Sequence, residues 1–311
     1  MKESTYIELA GLSPFNRFFF RSCYFHQLLA CYKYFQVLPE VVIGNYLNLY
    51  VEENGKLRTR EYQVFDKVTF ENLTGIRQIK YLPAKPIRYE LINLLKKRLP
   101  AIIVVDCFYI PFRADTYQKV HTDHYVTVYG YDEVKGVFII LEHESEKDFR
   151  YVRHEFAVGD LEEAFQAGVR CLQPGRDPFV TFEKIHGVDE FYFEKLKVRL
   201  KEFAREINSS YRTLRRYFSK RDIYKKISKE YEIVYDNLHW QKLRQMYQMS
   251  FIYRKDAVAL KKYFSDLIHA YTALSSICLN TEQGAEELKE VFNQIKLICK
   301  REKQLKHFML R

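Results

Sequence analysis

Two nearly continuous apolar runs, His124–Tyr131 and Val137–Glu142, dominate the hydrophobic pattern of the chain. The polar stretch between them ends in Gly136, which predicts a β-hairpin. Because few polar positions interrupt the runs, we expect both faces of the hairpin to be covered within a domain. Yet ionisable groups, which are costly to bury unpaired, stand at its open end. Ionisable groups at the open end of a buried hairpin are better explained by a chemical role than by a role in folding.

Shorter patterns predict the other elements of the N-terminal part. Helical spacing of apolar residues, amphipathic stretches and β-rich runs bounded by turn residues are the signals. The predicted elements are helices that begin near Ser22, Pro86 and Asp160, and strands within Val41–Phe65 and Ala101–Ile110.

The character of the chain changes near Gly187. Proline is absent after Pro178, and long charged and aromatic runs have helical periodicity. We therefore predict an α+β fold in two domains, with a central antiparallel sheet in residues 1–186 and an all-helical domain in residues 187–311. The predicted C-terminal helices cover roughly residues 189–219, 221–237, 239–253, 255–279 and 283–306.

Composition narrows the class of protein. With 311 residues, of which 47% are apolar and 29% charged, the chain is typical of a soluble protein with two domains. No apolar run is long enough to span a membrane, and the N-terminus lacks a signal-peptide core. We expect a cytoplasmic protein whose six cysteines are reduced. No pair of cysteines has metal-ligand spacing, and we expect neither a bound metal nor another cofactor.

The positive charge is concentrated in the C-terminal part. Residues 186–311 contain 26 Lys and Arg against 16 Asp and Glu, whereas residues 1–185 contain 24 of each. An acidic partner for the C-terminal domain is one interpretation, and a solvated helical surface is the other. The lack of a dense Lys/Arg run argues against nucleic acid as that partner.

Cys23 is the candidate nucleophile. If it lies in the first turn of the helix after Ser22, the positive end of the helix favours its thiolate. A histidine from a distant strand would then act as base and acid, and His124 fits that description. Glu142 in the adjacent strand is the candidate to orient the imidazole. This order of groups is that of papain-like enzymes.

Other residues near these positions have competing interpretations. His26 and Gln27 lie close to Cys23 and, like His121, are candidates to line the substrate pocket; packing on the surface or in the core is the alternative for His26 and Gln27. Asp106 is a buried hydrogen-bond acceptor or part of the site wall. His121 and His124 are spaced like metal ligands, but residues three apart on a strand face opposite sides, so we do not expect a metal there.

Three segments of the chain, SCYFHQLLACYKYF, IIVVDCFYIPF and YQKVHTDHYVTVYGYDEVKGVFIILEH, resemble the N-terminal domain of butirosin biosynthesis protein H and its relatives. The resemblance covers about residues 15–170. That family resembles papain-like cysteine enzymes, and more closely the peptidases that process bacteriocin leaders. Its named member is an acyltransferase that moves an acyl group from a carrier-protein thioester onto an aminoglycoside amine.

The resemblance implies Cys23 as nucleophile, His124 as base and Glu142 as the acid, where such enzymes more often carry Asp. The glutamine that usually precedes the cysteine as oxyanion donor has no obvious counterpart, and Asn16 is the nearest candidate. The implied partners are an acyl or peptidyl carrier protein and a small amine acceptor. A peptidase or thioester hydrolase with the same triad and a non-catalytic binding protein are the alternatives.

The triad carries a geometric condition. Side chains alternate along a strand, so Glu142 shares a face with His124 only if the hairpin has the right register. A five-residue loop, Asp132–Gly136, would pair Glu142 with Val126 and bring it close to His124. A four-residue loop would turn Glu142 away unless a bulge compensates. If Glu142 faces away, Asp106 is the next candidate.

Overall fold

A computed structural model of the chain describes residues 5–16, 22–145, 148–219, 257–279 and 285–309. These residues form an α+β fold with a central antiparallel sheet and helices in the C-terminal part, which confirms the coarse prediction. The chain divides into two compact units, each made of two segments. Met1–Pro39 and Glu71–Asp189 form the first unit, and Glu40–Phe70 and Glu190–Arg311 form the second.

The described strands are β1 Tyr6–Glu8, β2 Tyr46–Glu53, β3 Lys56–Gln63, β4 Ile76–Lys80, β5 Ala101–Asp106, β6 Asp123–Asp132, β7 Val137–Ser145, β8 Asp148–Ala157 and β9 Phe179–Lys184. The described helices are α1 Cys23–Tyr34, α2 Pro39–Gly44, α3 Lys67–Thr74, α4 Ile87–Lys96, α5 Val158–Cys171, α6 Tyr192–Glu202, α7 Ala204–Phe218, α8 Ala257–Leu279 and α9 Ala285–Met309. A short 3₁₀ turn, Cys107–Tyr109, follows β5.

One sheet of seven antiparallel strands forms the centre of the first unit. Its order is β4-β9-β5-β6-β7-β8, and β1 pairs with the end of β6 that lies beyond β5. The central strand β5 is buried along its whole length, as its uninterrupted apolar run predicts. β5 and β6 are paired so that Val105 lies opposite His124. The interior of the sheet therefore holds the start of β6 in place.

The hairpin of β6 and β7 has a four-residue loop and a bulge. Asp132 pairs with Val137, whereas Thr127 pairs with Leu141, and the register shifts between Val128 and Gly130. The extra residue in β6 compensates for the even loop. Continued by one residue, this register sets Glu142 opposite Val126, so the compensating bulge, not the five-residue loop, meets the geometric condition.

Several predicted elements differ from the structure. Val41–Gly44 is helical because Pro39 begins a helix there, a position that proline favours. The strands β4, β8 and β9 and the helix α3 were not predicted. Their apolar residues are interrupted by charges, since each has a face toward solvent or a position near the sheet edge. The helix after Asp160 begins earlier, at Val158, and ends at Cys171.

The second unit combines helices with the hairpin of β2 and β3. The predicted boundary at residue 187 lies near the passage at Asp189, but residues 40–70 group with the C-terminal helices. A buried polar node joins these parts. Tyr50 on β2 donates to Glu302 on α9 at 2.8 Å, and Tyr271 on α8 donates to the same carboxylate oxygen at 3.2 Å. The unit is therefore not all-helical.

Among the predicted C-terminal helices, those over 255–279 and 283–306 correspond closely to α8 and α9, whereas the first one differs. The expected helix over 189–219 is divided at Phe203 into α6 and α7. The predicted helices 221–237 and 239–253 lie outside the described residues. Among the helices that the structure describes, none is both long and apolar enough to cross a membrane.

Gly168 allows α5 to approach β5, which leads to a testable prediction. A Cβ atom at Gly168 would lie 2.7 Å from the carbonyl carbon of Val105 and 2.9 Å from the backbone nitrogen of Asp106. Backbone cannot yield as a side-chain tip does, so Gly168→Ala should destabilise the protein by about 1–3 kcal/mol. Urea unfolding followed by circular dichroism measures this change.

The control variant is Gly159→Ala in the first turn of the same helix. No atom lies within 4 Å of a Cβ at Gly159. Because alanine is the better helix former, this variant should be as stable as the wild type or slightly more so. Equal stability of the two variants would contradict the close packing of α5 on β5.

Candidate active site

Cys23 is the first residue of α1 and is partly exposed. Ser22 has the extended backbone of an N-cap, but its side chain makes no capping hydrogen bond. The first N–H groups of a helix have no intrahelical acceptor and give this end of α1 a partial positive charge. This local geometry favours an anion at Cys23, as its predicted position at a helix start requires.

His124 and Glu142 meet inside the first unit. Nε2 of His124 lies 2.7 Å from Oε2 of Glu142, and the side chains are 8% and 0% exposed. These two atoms are close enough for an ion pair, but their geometry does not meet the criteria of a hydrogen bond. The same-face arrangement that the register allows is thus present.

The thiol of Cys23 interacts with the ring of His124. Burial disfavours the thiolate, but the charge of His124, a hydrogen bond with it and the backbone N–H of Tyr125 outweigh burial, and the pKa of Cys23 is lowered. Burial also disfavours the imidazolium, yet the charges of Glu142 and Cys23 raise the pKa of His124 well above its usual value. Both directions favour a thiolate–imidazolium pair.

Glu142 stays ionised although it is fully buried. Burial alone would raise the pKa of Glu142, but the charge of His124 and hydrogen bonds lower it. One of these hydrogen bonds comes from the backbone N–H of His143, 2.8 Å from Oε1. Nη1 of Arg113 lies 3.6 Å from the same oxygen. The buried charge therefore has partners at both oxygens.

Gln27 has a structural role close to the site. Its Nε2 donates to the carbonyl of Tyr125 at 3.1 Å and to that of Leu141 at 3.2 Å. Its Oε1 accepts from the hydroxyl of Thr127 at 2.7 Å. The β6–β7 pairing ends at Thr127 and Leu141, so this buried amide bridges the two strands where they separate. It fixes α1 against β6 and β7.

His26 on α1 and Asn16, which precedes this helix, both contact Tyr151 on β8. Nδ1 of His26 lies 3.3 Å from the carbonyl of Phe15, and its ring stacks on Tyr151. The amide of Asn16 donates to the carbonyl of Tyr151 and accepts from its N–H, both at 2.9 Å. Since both ends of this amide bind the backbone of β8, Asn16 is held as a structural link and not as an oxyanion donor.

Asp106 and His121 form a second pair, apart from the Glu142 contact. Oδ2 of the buried Asp106 lies 2.6 Å from Nδ1 of His121, whose side chain is 57% exposed. Oδ1 accepts the N–H groups of Phe108 at 3.0 Å and Thr122 at 3.1 Å. With Cys171, whose sulfur lies 3.7 Å from Oδ2, the pair also has the donor types of a metal site. The structure leaves Glu142, not Asp106, beside His124.

A cavity of about 310 Å³ opens beside Cys23. The aromatic side chains of Tyr24, Phe25 and Tyr125 line it together with charged residues. Two of the charged residues, Lys80 and Asp177, form an ion pair with 2.7 Å between Nζ and Oδ2. The cavity beside the sulfur therefore combines apolar surface with charge, as small-molecule sites do.

A comparison with known protein families gives a match to the segment that contains strands β4 to β7. The family model described as butirosin biosynthesis protein H, N-terminal, matches residues 62–143. This finding confirms the resemblance. The match is about a quarter of the chain and includes His124, Glu142, Asp106 and His121, whereas Cys23 and α1 precede it. No curated protein matches the chain.

Two residues of the site were not found from the sequence. The sequence pattern singles out neither Arg113 nor His143 as a candidate site residue. Neither has a spacing that would mark it, because Arg113 reaches Glu142 through tertiary structure. A buried acid next to a base in the sequence, Glu142-His143, was the one available signal of a larger charge network.

We expect Cys23 to be alkylated at lower pH than an ordinary thiol. His124→Asn removes the imidazolium charge, which is the largest effect that opposes burial, so the pH midpoint of iodoacetamide labelling should rise by at least one unit, above the usual thiol value of about 8.5. Peptide mass spectrometry across a pH series measures labelling at each cysteine.

Cys171 is the internal reference for this experiment. It is exposed, and partial desolvation of its sulfur together with the neighbouring Asp106 raises its pKa. Its labelling curve should be identical in wild type and His124→Asn. A Cys23 curve that does not move when His124 is replaced would refute the thiolate–imidazolium pair.

Proposed function

We propose that the protein is a papain-like, cysteine-dependent acyltransferase that works in natural-product biosynthesis. The observation that carries this proposal is the series Cys23, His124 and Glu142, in which a thiol of lowered pKa meets an imidazole held by a buried carboxylate. The three residues come from a helix start and from two strands, which is the arrangement of papain-like sites. The resemblance to butirosin biosynthesis protein H supports a biosynthetic role.

The donor in the proposed reaction is an acyl or peptidyl thioester on a carrier protein. The Cys23 thiolate attacks the thioester carbonyl carbon, the bond from that carbon to the carrier sulfur breaks, and the His124 imidazolium protonates the departing thiolate. The acyl group is then attached to Cys23. N–H groups at the start of α1 stabilise the oxyanion that forms on the way.

The acceptor is a small amine. Its nitrogen attacks the acyl carbon, neutral His124 takes the proton that the nitrogen loses, and the bond to the Cys23 sulfur breaks. An amide is released, and the thiolate–imidazolium pair is restored. Glu142 keeps the ring oriented and stabilises its charge in both halves of the reaction. Water in place of the amine would make the same site a hydrolase.

A row of lysines on α9 supports a carrier protein as partner. Lys289, Lys296, Lys300 and Lys303 are exposed and follow one another at helical spacing, so they lie on one face of the helix. Acyl carrier proteins are acidic, and complementary charge steers association. We refer to these four residues as the lysine row.

Cys23→Ala should abolish acyl transfer and leave the fold intact, because the change removes little volume. After exposure to an acyl carrier thioester, intact-mass spectra should show an acyl adduct on the wild type and none on the variant. Adding an amine should discharge the adduct to an amide, whereas discharge only to the free acid would indicate the hydrolase. Equal labelling of wild type and variant would mean that another cysteine reacts.

Binding of an acidic holo acyl carrier protein to the full chain should weaken roughly tenfold between 50 mM and 300 mM salt, because exposed charge pairs are screened. Replacing the lysine row by glutamine should reduce the affinity at low salt and flatten the salt dependence. Surface plasmon resonance measures both effects.

The matched control replaces four lysines of the first unit, Lys85, Lys96, Lys97 and Lys184, by glutamine. All four are exposed, so the control changes net charge by the same amount. It should bind nearly as the wild type does. If the control loses as much affinity as the lysine-row variant, overall charge and not this surface governs binding.

A further inference from the structure

Arg113 lies in the loop between the 3₁₀ turn and β6, and its guanidinium is directed into the site. Its Nη1 is 3.6 Å from Oε1 of Glu142 and 3.3 Å from Nδ1 of His143. Only 13% of its side chain is exposed. A guanidinium in this position is a permanent positive charge beside the buried carboxylate.

Asp115 holds the guanidinium from its other side. Nε of Arg113 donates to Oδ1 of Asp115 at 2.9 Å, and Nη2 donates to Oδ2 at 2.7 Å. This two-bond contact fixes the plane of the guanidinium and leaves Nη1 for the site. These hydrogen bonds raise the pKa of Arg113 further, so its charge does not change with pH.

His143 completes the contact as a neutral group. Burial lowers the pKa of its ring to about 4. Nη1 of Arg113 therefore donates to an unprotonated Nδ1, and the backbone N–H of His143 donates to Glu142. Arg113 thus reaches the carboxylate directly and also through the residue next to it.

We propose that Arg113 is a positioning residue for the proposed triad: held by Asp115, it keeps Glu142 ionised and aligned, and thereby sets the pH at which Cys23 becomes a thiolate. The inference rests on the proposed function, because it assigns Arg113 a part in that same site. The guanidinium acts on the sulfur through Glu142 and His124 and does not touch the reacting atoms.

The sign of the effect follows from charge. Loss of the guanidinium removes a positive charge near the site, which makes formation of the Cys23 thiolate harder. Loss of the contact that aligns Glu142 also weakens the hold of this carboxylate on the His124 imidazolium, which the thiolate needs. Both routes raise the pH required for thiolate formation.

The other groups around Glu142 act on the same titration and remain unchanged in the test. Those that the described elements bring toward the carboxylate are Cys23 on α1, Cys107 in the 3₁₀ turn, His124 on β6, His143 on β7 and Tyr151 on β8.

The test compares Arg113→Met, Arg113→Gln and Arg113→Lys in the full chain. The pH midpoint of Cys23 alkylation by iodoacetamide should rise by about one unit in the two uncharged variants, since a charge is lost near a buried site. The lysine variant keeps the charge and should remain near the wild-type midpoint. The glutamine variant keeps a hydrogen-bond donor but no charge, so the pH midpoint of Cys23 alkylation can be measured on it if the methionine variant does not fold.

The matched control is Arg153→Met on β8. Arg153 pairs with Glu8 at 3.3 Å and with Glu155 at 3.1 Å, and it makes no contact with the triad among the described residues. Its replacement should not move the midpoint. An unmoved midpoint in both uncharged Arg113 variants, or an equal shift in Arg153→Met, would overturn the proposal.

The two proposals fail in different ways. Alkylation needs no acyl substrate, so the midpoint can be read even if the wild type transfers no acyl group. Absence of an acyl adduct on wild-type Cys23 would refute the acyltransferase alone. Normal adduct formation together with an unmoved midpoint in the Arg113 variants would refute the positioning role alone.

Discussion

The buried carboxylate of Glu142 is the group on which the site depends. An unpaired charge with no exposed surface would be strongly unfavourable, so the fold must supply partners from several directions. It does so with His124 from the neighbouring strand, the backbone of His143 and the guanidinium of Arg113. Because His124 and Arg113 are distant from Glu142 in sequence, two of these three partners are present only in the folded protein.

The bulge near Tyr129 gives this arrangement its register. Without the extra residue, the four-residue loop would turn Glu142 to the face away from His124. Gly130 fits the distorted strand, since a Cβ there would lie 2.8 Å from Ile139 and 2.9 Å from the carbonyl of Ile7. Gln27 then closes the gap where β6 and β7 separate, which fixes α1 and its cysteine against the same strands. Register and helix position are therefore coupled.

The family match covers only part of the candidate site. It includes the strands that bear His124 and Glu142, and it begins after the helix that bears Cys23. Cys23, the proposed nucleophile, is joined to the matched segment by tertiary contacts, among them the amide of Gln27 and the interaction of the thiol with His124. The second unit contributes positive charge and a lysine row rather than groups of the triad. The proposed triad and the excess positive charge thus lie in different parts of the chain.

The sequence by itself determined the α+β class, the buried hairpin, the helix start at Cys23 and the positive C-terminal part, because periodicity, caps and charge are local properties. From the alternation of side chains it was also possible to derive the strand register at which Glu142 faces His124. Only the tertiary structure decided that a bulge supplies this register, that Asn16 and Gln27 are structural, and that Arg113 faces the carboxylate. The grouping of residues 40–70 with the C-terminal helices was likewise visible only in the tertiary structure. Register shifts, amide pairings and distant ion pairs depend on which strands and loops become neighbours, and no local pattern contains that information.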